Sequence, residues 1–318
     1  MNKKDNKCCH ITSIGGQAVI EGVMMRGPKK IATAVRKADG EIVVDIKDVN
    51  SFVVRHKLNK IPILRGVVSF IESMVTGVKA LMFSADQIDL EDDEGAGEPS
   101  RFEKWLTDKL GDKIKDIAIY FAVAVALCFS VALFMILPTV IAGFFGYFIK
   151  NRVVLNLIEG MVKLIIFFIY LWSVSFMDDI KRVFAYHGAE HKTIAAYEAG
   201  EELTAENAKK YTRLHPRCGT SFLLIVMVIS ILMFSVISWQ NVWLRIAYRL
   251  LLLPVVAGVS YEIIKFAGKH PSGVVGFLTK PGLWLQKITT REPDESQLEV
   301  AIEAMKAVIP EDSEEDKW

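Results

Sequence analysis

Two histidines and a glutamate occur within one short segment, Tyr186 to Lys192, and their spacing can support metal chemistry. His187 and His191 are four residues apart, so on an α-helix their side chains share one face, with Cβ atoms about 5 to 6 Å apart. The spacing His-x-x-Glu-His is the inverted zinc-hydrolase pattern, in which both imidazoles bind the metal and the glutamate, here Glu190, activates water. The motif predicts a divalent metal, with zinc as the first choice, and Glu190 as the catalytic base. The alternative is a solvated helix end that binds nothing.

Two further metal-binding side chains, His215 and Cys218, lie three residues apart later in the chain. Imidazole and thiolate are both zinc ligands, so either residue can provide a third ligand. The alternative for His215 is a helix boundary, because a residue before proline favours extended backbone. That alternative is preferred for His270, which also precedes a proline. The predicted metal ligands are His187, His191, His215 and Cys218.

The composition is that of a membrane protein with substantial polar parts. Of the 318 residues, 52% are hydrophobic and 24% are charged, and the formal net charge of +1 argues against a nucleic-acid partner. A transmembrane helix needs about 20 apolar residues. Four segments come close to or exceed that length and predict a mainly α membrane protein with a four-helix bundle: residues 117–147, 153–177, 220–238 and 246–266. Pro138 predicts a kink or an end of the first span near Leu137.

The loops between these segments differ in positive charge. The loop between the second and third spans contains seven lysines and arginines, whereas each of the two loops on the other side contains two. Because short cytoplasmic loops are enriched in Lys and Arg, the central loop, residues 178–219, is predicted to be cytoplasmic. The first ten residues lack the apolar core of a signal peptide. Four spans then place both termini in the cytoplasm and bring the predicted ligands to one membrane boundary.

Residues 1–60 are predicted to form a small cytoplasmic β domain. Two strand-like runs, Ile31–Ala38 and Glu41–Asp48, are joined by an Asp-Gly pair, which is a strong hairpin signal. The preceding segment, Gly15–Pro28, is rich in glycine, which indicates turns or a close backbone contact. We interpret it as a glycine-flanked strand that packs on the domain. The alternative is that its glutamate or its arginine lines a site.

The remaining segments have amphipathic or acidic patterns. Residues 61–87 carry charged side chains every seven residues beside an apolar face, which predicts an interfacial helix; a re-entrant segment and a helix buried against the bundle are alternatives. Residues 88–100 are acidic and are predicted to be a linker. We assign the membrane domain to residues 101–270 and a cytoplasmic tail to residues 271–318. In that tail, Ser296–Ile309 predicts an amphipathic helix that docks either on the N-terminal domain or on a protein partner.

Three other charged residues receive a structural interpretation. Glu159 and Lys163 lie four residues apart inside the second span, near its outer end, so an ion pair that reaches the membrane surface explains them. Glu198 lies on nearly the same helix stripe as the two histidines, but it is about 10 Å further along, too far to bind the same ion. Glu198 is therefore predicted to support the site indirectly or to lie on the surface.

Several separated motifs resemble one known family. The chain is similar to the YqhQ-like bacterial membrane proteins in five places: Gly15–Pro28, His187–His191 with Tyr197-Glu198 behind it, His215–Ser221, Tyr261-Glu262 and Thr289–Pro293. The resemblance spans most of the chain and implies a multi-pass protein of the bacterial cell membrane. Members of this family have unknown function and are sometimes described as predicted metal-dependent enzymes, so the resemblance implies no substrate.

Three functional hypotheses follow. The first is a metal-dependent enzyme of hydrolase type, with its site at the cytoplasmic membrane boundary. The second is a non-catalytic membrane scaffold or assembly factor, in which the histidines are structural and the C-terminal amphipathic helix contacts a protein partner. The third is a transporter, which requires a homo-oligomer because four spans in one chain enclose no path. In each case the lipid bilayer is a partner and nucleic acid is not.

Overall fold

The computed structural model describes residues 10–50, 60–88, 113–235, 242–269 and 274–317. The strands are β1 (Gly15–Val19), β2 (Gly22–Arg26), β3 (Lys30–Arg36) and β4 (Ile42–Asp48). The helices are α1 (Leu64–Gln87), α2 (Lys113–Val131), α3 (Leu137–Phe145), α4 (Arg152–Val174), α5 (Asp178–Glu198), α6 (Ala205–Lys209), α7 (Gly219–Ser235), α8 (Val242–Lys269), α9 (Val274–Thr289) and α10 (Glu295–Lys306). Two features of the sequence lie outside the described residues: the predicted acidic linker after Ile88, and His270.

The chain divides into two compact units. The first contains the described residues of Met1–Asp89, Leu171–Ser230 and Arg249–Trp318, and the second contains those of Leu90–Tyr170 and Ile231–Tyr248. The N-terminal sheet, the predicted cytoplasmic loop and the C-terminal tail all fall in the first unit. Segments far apart in the sequence therefore form one body around helix α5.

The sheet is a four-stranded antiparallel meander in the order β1-β2-β3-β4. The predicted Asp-Gly hairpin is confirmed as β3-β4, with Arg36 opposite Ile42 and Gly40 at a φ of 90° in its turn. A left-handed backbone of this kind favours glycine. The glycine-rich segment forms a second hairpin, β1-β2, rather than a single strand, and its turn exposes Ile20.

The two faces of the sheet contact different helices because side chains alternate along each strand. Val23 and Met25 are fully buried in a core shared with α5 and α10. Met24, on the opposite face, packs against a smaller core that includes Ala80 of α1. The sheet therefore separates helix α1 from helices α5 and α10.

Helix α10 confirms the predicted C-terminal amphipathic helix. Asp294 accepts a hydrogen bond from the backbone N–H of Gln297 at 2.9 Å, and the Gln297 side chain accepts one from the Asp294 N–H at 3.1 Å, which makes a capping box. Leu298 and Met305 are completely buried in the core with the sheet and α5. The apolar stripe of this helix thus packs on the N-terminal domain, which is one of the two docking surfaces considered.

Within the described residues, four helical stretches are long and apolar enough to cross a membrane: Leu64–Gln87, Phe121–Phe145, Arg152–Val174 and Ala247–Phe266. The last three coincide with predicted spans. The predicted span at 220–238 corresponds to α7, which is apolar but shorter within the described residues. The fold is therefore the expected mainly α membrane architecture with a small N-terminal sheet.

Helix α1 contacts both the apolar helices and the sheet. Near its start, a Cβ added at Gly66 would come within 3.0 Å of Gly258 in α8, so the two backbones pack closely. Phe70 contacts Phe222 of α7, with ring centroids 5.8 Å apart. Further along, the backbone of Gly77 lies against the side chain of Gln17 in β1. The helix also exposes an apolar stripe, consistent with an interfacial position.

The first apolar stretch changes helix type before its proline. Residues Ala132–Ile136 form a π-helical segment, and α3 continues with Pro138 in its first turn. The wider π turn makes room for the proline ring and tolerates the loss of one backbone hydrogen bond, because proline has no N–H. The helix therefore does not end there. Thr139 then contacts Glu159 of α4 at 2.6 Å, and Glu159 is 5% exposed. Glu159 is thus buried against α3, and its predicted ion pair with Lys163 stays a prediction.

Candidate metal centre

Helix α5 holds the two histidines one turn apart. Asp178 and Asp179 lie in its first turn, where acidic side chains interact favourably with the helix dipole. Gly200, with a φ of 68°, follows the end of the helix, where a left-handed backbone favours glycine. The rings of His187 and His191 lie on one face, with centroids 4.5 Å apart.

Cys218 provides the third donor atom from the start of helix α7. It lies immediately before Gly219, the first residue of that helix, and its Sγ accepts the backbone N–H of Thr220 at 3.4 Å. Cysteine binds metals as the thiolate. The Sγ atom lies 3.1 Å from Nε2 of His187.

One donor atom from each of His187, His191 and Cys218 lies within 4.8 Å of the other two. In a tetrahedral zinc site, with Zn–N of about 2.1 Å and Zn–S of about 2.3 Å, donor atoms are about 3.4 to 3.6 Å apart. The three side chains therefore fit a zinc-sized ion with small adjustments. Three protein ligands also leave one tetrahedral position open, which is typical of catalytic rather than structural zinc.

Backbone carbonyl groups fix the protonation pattern of both imidazoles. Nδ1 of His187 lies 2.9 Å from the carbonyl oxygen of Thr289, and Nδ1 of His191 lies 2.6 Å from that of Arg213. A carbonyl oxygen only accepts, so each Nδ1 carries a proton, and in the neutral ring Nε2 then presents its lone pair. This is the usual arrangement of metal-binding histidines.

His191 is the more buried of the two histidines. Its side chain is 1% exposed, and among the described residues its Nε2 has no hydrogen-bond partner. Burial lowers the pKa of His191, which keeps the ring neutral, as metal binding requires. A buried lone pair without a partner is rare in folded proteins. A bound ion would satisfy it.

Glu190 lies beside the three donor atoms and is not one of them. Its Oε1 accepts the backbone N–H of Gly16 at 3.0 Å, while Oε2 is buried without a partner in the described part of the chain. Burial raises the pKa of Glu190, although the nearby His187 and the Gly16 N–H act in the opposite direction. Gly16 belongs to the edge strand β1, and a Cβ there would overlap the Met24 carbonyl oxygen. The glycine-rich segment therefore reaches the site through Gly16.

His215 lies next to His191, with ring centroids 5.5 Å apart, but outside the group of three donors. Its Nε2 lies 3.4 Å from Nη2 of Arg217 and 3.9 Å from Oε2 of Glu198. Its backbone N–H and carbonyl both bond the side-chain amide of Gln286. The structure thus brings three of the four predicted ligands together and places His215 as their neighbour.

Glu198 is paired on several sides. Its Oε1 accepts the Thr12 N–H at 2.8 Å, and it forms an ion pair with Arg217. Burial alone would raise the pKa of Glu198, but the His215 ring and the Arg217 guanidinium bring it below its ordinary value. Glu198 therefore supports His215 and Arg217 without touching the three donors, as the helix geometry predicted.

The sequence model described as "Protein of unknown function (DUF1385)" matches residues 61–311, well over half of the chain. The chain is a member of the DUF1385 family. It is also 36% identical over 305 residues to "Uncharacterized protein YqhQ" of Bacillus subtilis (strain 168), in an alignment that covers 93% of this chain and 92% of that protein. These matches confirm the family resemblance of the motifs. No solved structure matches the chain.

The part of the chain that the DUF1385 model covers includes every candidate ligand and leaves out the sheet with Gly16. It also includes Thr289–Pro293, a segment whose role the sequence did not reveal. This segment crosses α5 at Gly188, where a Cβ would overlap the Arg291 carbonyl oxygen, and the Arg291 N–H donates to the Phe184 carbonyl at 2.8 Å. The close crossing brings the Thr289 carbonyl to His187. Gly188 is therefore the sequence signal that marks this contact.

Proposed function

We propose that this DUF1385 protein binds one divalent metal ion, with zinc as the best fit, at His187, His191 and Cys218, and uses it for hydrolysis. In this proposal the protein spans the bacterial cell membrane several times, with both termini and the metal centre on the cytoplasmic side. The excess of Lys and Arg in residues 178–219 supports that orientation.

The observation that carries the proposal is the pair of histidine tautomers. Both Nδ1 atoms donate to backbone carbonyls, so both Nε2 lone pairs are available close to the Cys218 sulfur. A helix that merely displayed two solvated histidines would not need these bonds, nor would it bury an Nε2 atom that lacks a partner. A metal ion explains the three donors together.

The chemistry assigned to the centre is hydrolysis because three ligands leave a position open and because a carboxylate lies alongside. A bound Zn²⁺ would supply a Lewis acid that activates water near neutral pH. Glu190 would accept the proton through its Oε2, which is held in place because Oε1 is anchored on the Gly16 N–H. His215 is assigned the supporting role of packing against His191.

A structural centre in a membrane scaffold is the second candidate. It is favoured by the burial of His191 and Cys218 and by the three chain segments that meet there: α5, the residues before α7, and the end of α9. A metal in this place would hold those segments together without turnover. In that case replacement of Glu190 would change nothing except stability.

The direct test is the metal content of the purified full-length protein by mass spectrometry. We expect about one zinc ion per chain, because the centre has one set of three ligands. Cys218→Ser should remove it, since the serine hydroxyl can still accept the Thr220 N–H but does not replace the thiolate as a ligand. Cys128→Ser, at an exposed position in α2, is the matched control and should retain the metal. Equal metal content in the two variants would contradict the proposal.

A further inference from the structure

Two cationic side chains lie beside the candidate metal centre and are not among its donors. Lys192 follows His191 directly, and its side chain is only 6% exposed. The ammonium donates to the carbonyl of Lys209 at 3.1 Å and lies 2.8 Å from Oε2 of Glu292. An ammonium removed from water is costly unless an anion is close. The described residues supply one such anion, the Glu292 carboxylate.

Arg213 is the second cation of the pair. Its Nε lies 3.5 Å from the other carboxylate oxygen of Glu292, and its Nη1 donates to the carbonyl and hydroxyl oxygens of Thr290. Its Nη2 has no hydrogen-bond acceptor within the described ranges. The carbonyl oxygen of Arg213 also receives the Nδ1–H of His191. The guanidinium is therefore carried by a residue that directly orients a metal ligand.

The anion that joins the two cations is itself exposed. The Glu292 side chain is 67% exposed, against 6% for Lys192 and 25% for Arg213. Because the Glu292 carboxylate keeps most of its contact with water, another anion can take its place beside the two cations. Two cations held by hydrogen bonds to backbone carbonyl oxygens are thus joined by a carboxylate that is largely exposed to solvent.

A phosphate group suits this arrangement better than a carboxylate does. A carboxylate offers two oxygens, which reach Lys192 Nζ and Arg213 Nε and leave Arg213 Nη2 unused. A terminal phosphate offers three oxygens, so it can accept from all three donors, and the planar guanidinium matches two of them at once. The fixed donors therefore select for a phosphate.

We propose that Lys192 and Arg213 form a subsite for a phosphate group and that Glu292 occupies it in the free protein. This inference rests on the proposed function in one respect: the phosphate belongs to the substrate of the metal centre, which makes that substrate a phosphate ester. The group can come from the headgroup of a phospholipid or from a soluble phosphate ester.

The test measures the binding of inorganic phosphate by calorimetry to the full-length protein in phosphatidylcholine nanodiscs, after a chelator has removed all metal. Glu292→Gln should tighten binding about threefold to tenfold, because it removes an exposed competing ion pair. Lys192→Met should weaken binding at least about tenfold, since it removes a charge-assisted hydrogen bond. Lys209→Met is the matched control, because the Lys209 ammonium pairs with the exposed Glu295 at 2.9 Å. This variant should bind phosphate as tightly as the wild type does.

Unchanged phosphate affinity in Glu292→Gln would overturn the proposal, and so would equal affinities in Lys192→Met and Lys209→Met. Glu292 is a surface residue, so phosphate binding by Glu292→Gln can be compared with that of the wild type even if Lys192→Met fails to fold. The metal-free condition separates the two hypotheses, because loss of zinc binding leaves the phosphate measurement unaffected. Nanodiscs that contain phosphatidic acid identify the source: competition with phosphate indicates a lipid headgroup, and its absence indicates a soluble ester.

Discussion

Two buried polar clusters on helix α5 differ in how completely their atoms are paired. At the end of the helix, Glu198 accepts bonds from Thr12 and Arg217 and lies beside His215. Two turns earlier, Nε2 of His191 and Oε2 of Glu190 are buried and have no partner among the described residues. The two clusters share a helix and similar residue types, so they differ in whether their buried polar atoms have hydrogen-bond partners.

This contrast indicates what each cluster does. Buried polar groups in folded proteins are almost always hydrogen-bonded, because an unpaired one costs about 1 to 3 kcal/mol. The paired cluster around Glu198 is complete, and it connects the N-terminal segment to the residues before α7. In the proposal, an added ligand completes the unpaired cluster around His191. We therefore expect mutations in the first to change stability and mutations in the second to change metal binding and activity.

The largest expected effect separates the two neighbouring histidines. His191→Gln should reduce zinc from about one ion per chain to near zero, because two ligands alone make a poor site. His215→Gln should retain most of the zinc, with an affinity loss of at most about 100-fold, as for residues that only support ligands. Metal content and competition with a chromophoric chelator measure both. The comparison fails if the two variants lose zinc equally.

The second prediction separates the two glutamates. In zinc-loaded protein, Glu190→Gln should reduce hydrolysis of fluorogenic phosphate-ester probes at least about 100-fold, because it removes the proton acceptor, while zinc content stays at the wild-type level. Glu198→Gln should lower the midpoint of thermal unfolding because it weakens the ion pair with Arg217. Wild-type turnover by Glu190→Gln would leave only a structural role for the centre.

The smallest expected effect concerns the segment that crosses α5. Gly188→Ala should destabilise the protein by about 1 to 3 kcal/mol, because the added Cβ overlaps the Arg291 carbonyl oxygen and displaces Thr289–Pro293. Gly143→Ala in α3 meets nothing within 4 Å and should cause no loss of stability. Thermal unfolding in detergent compares them. Equal unfolding midpoints would show that the crossing is not tight.

Local features of the fold could be predicted from the sequence because they depend on neighbouring residues. The Asp-Gly hairpin, the apolar spans and the C-terminal amphipathic helix each have a short-range signature, and all are present. Helix periodicity also placed His187 and His191 on one face. The docking of α10 on the sheet was one of two alternatives, since an apolar stripe does not identify its own partner.

The contacts that complete the site could not be predicted because they join residues far apart in the sequence. Gly16 donates to Glu190 across 174 positions, and Thr289 accepts from His187 across 102. From the sequence, His215 and Cys218 were equivalent candidates for the third metal ligand. Only the packing of Arg217 and Glu198 around the His215 ring, together with the start of α7 at Gly219, distinguishes them.

The most direct measurement is the zinc K-edge X-ray absorption spectrum of the purified full-length protein. The account predicts a first shell with two nitrogen scatterers from imidazole at about 2.0 to 2.1 Å, one sulfur at about 2.3 Å and one further light atom. The sulfur contribution should disappear in Cys218→Ser and persist in Cys128→Ser. A spectrum without sulfur in the wild type, or a protein that binds no zinc at all, would contradict the account.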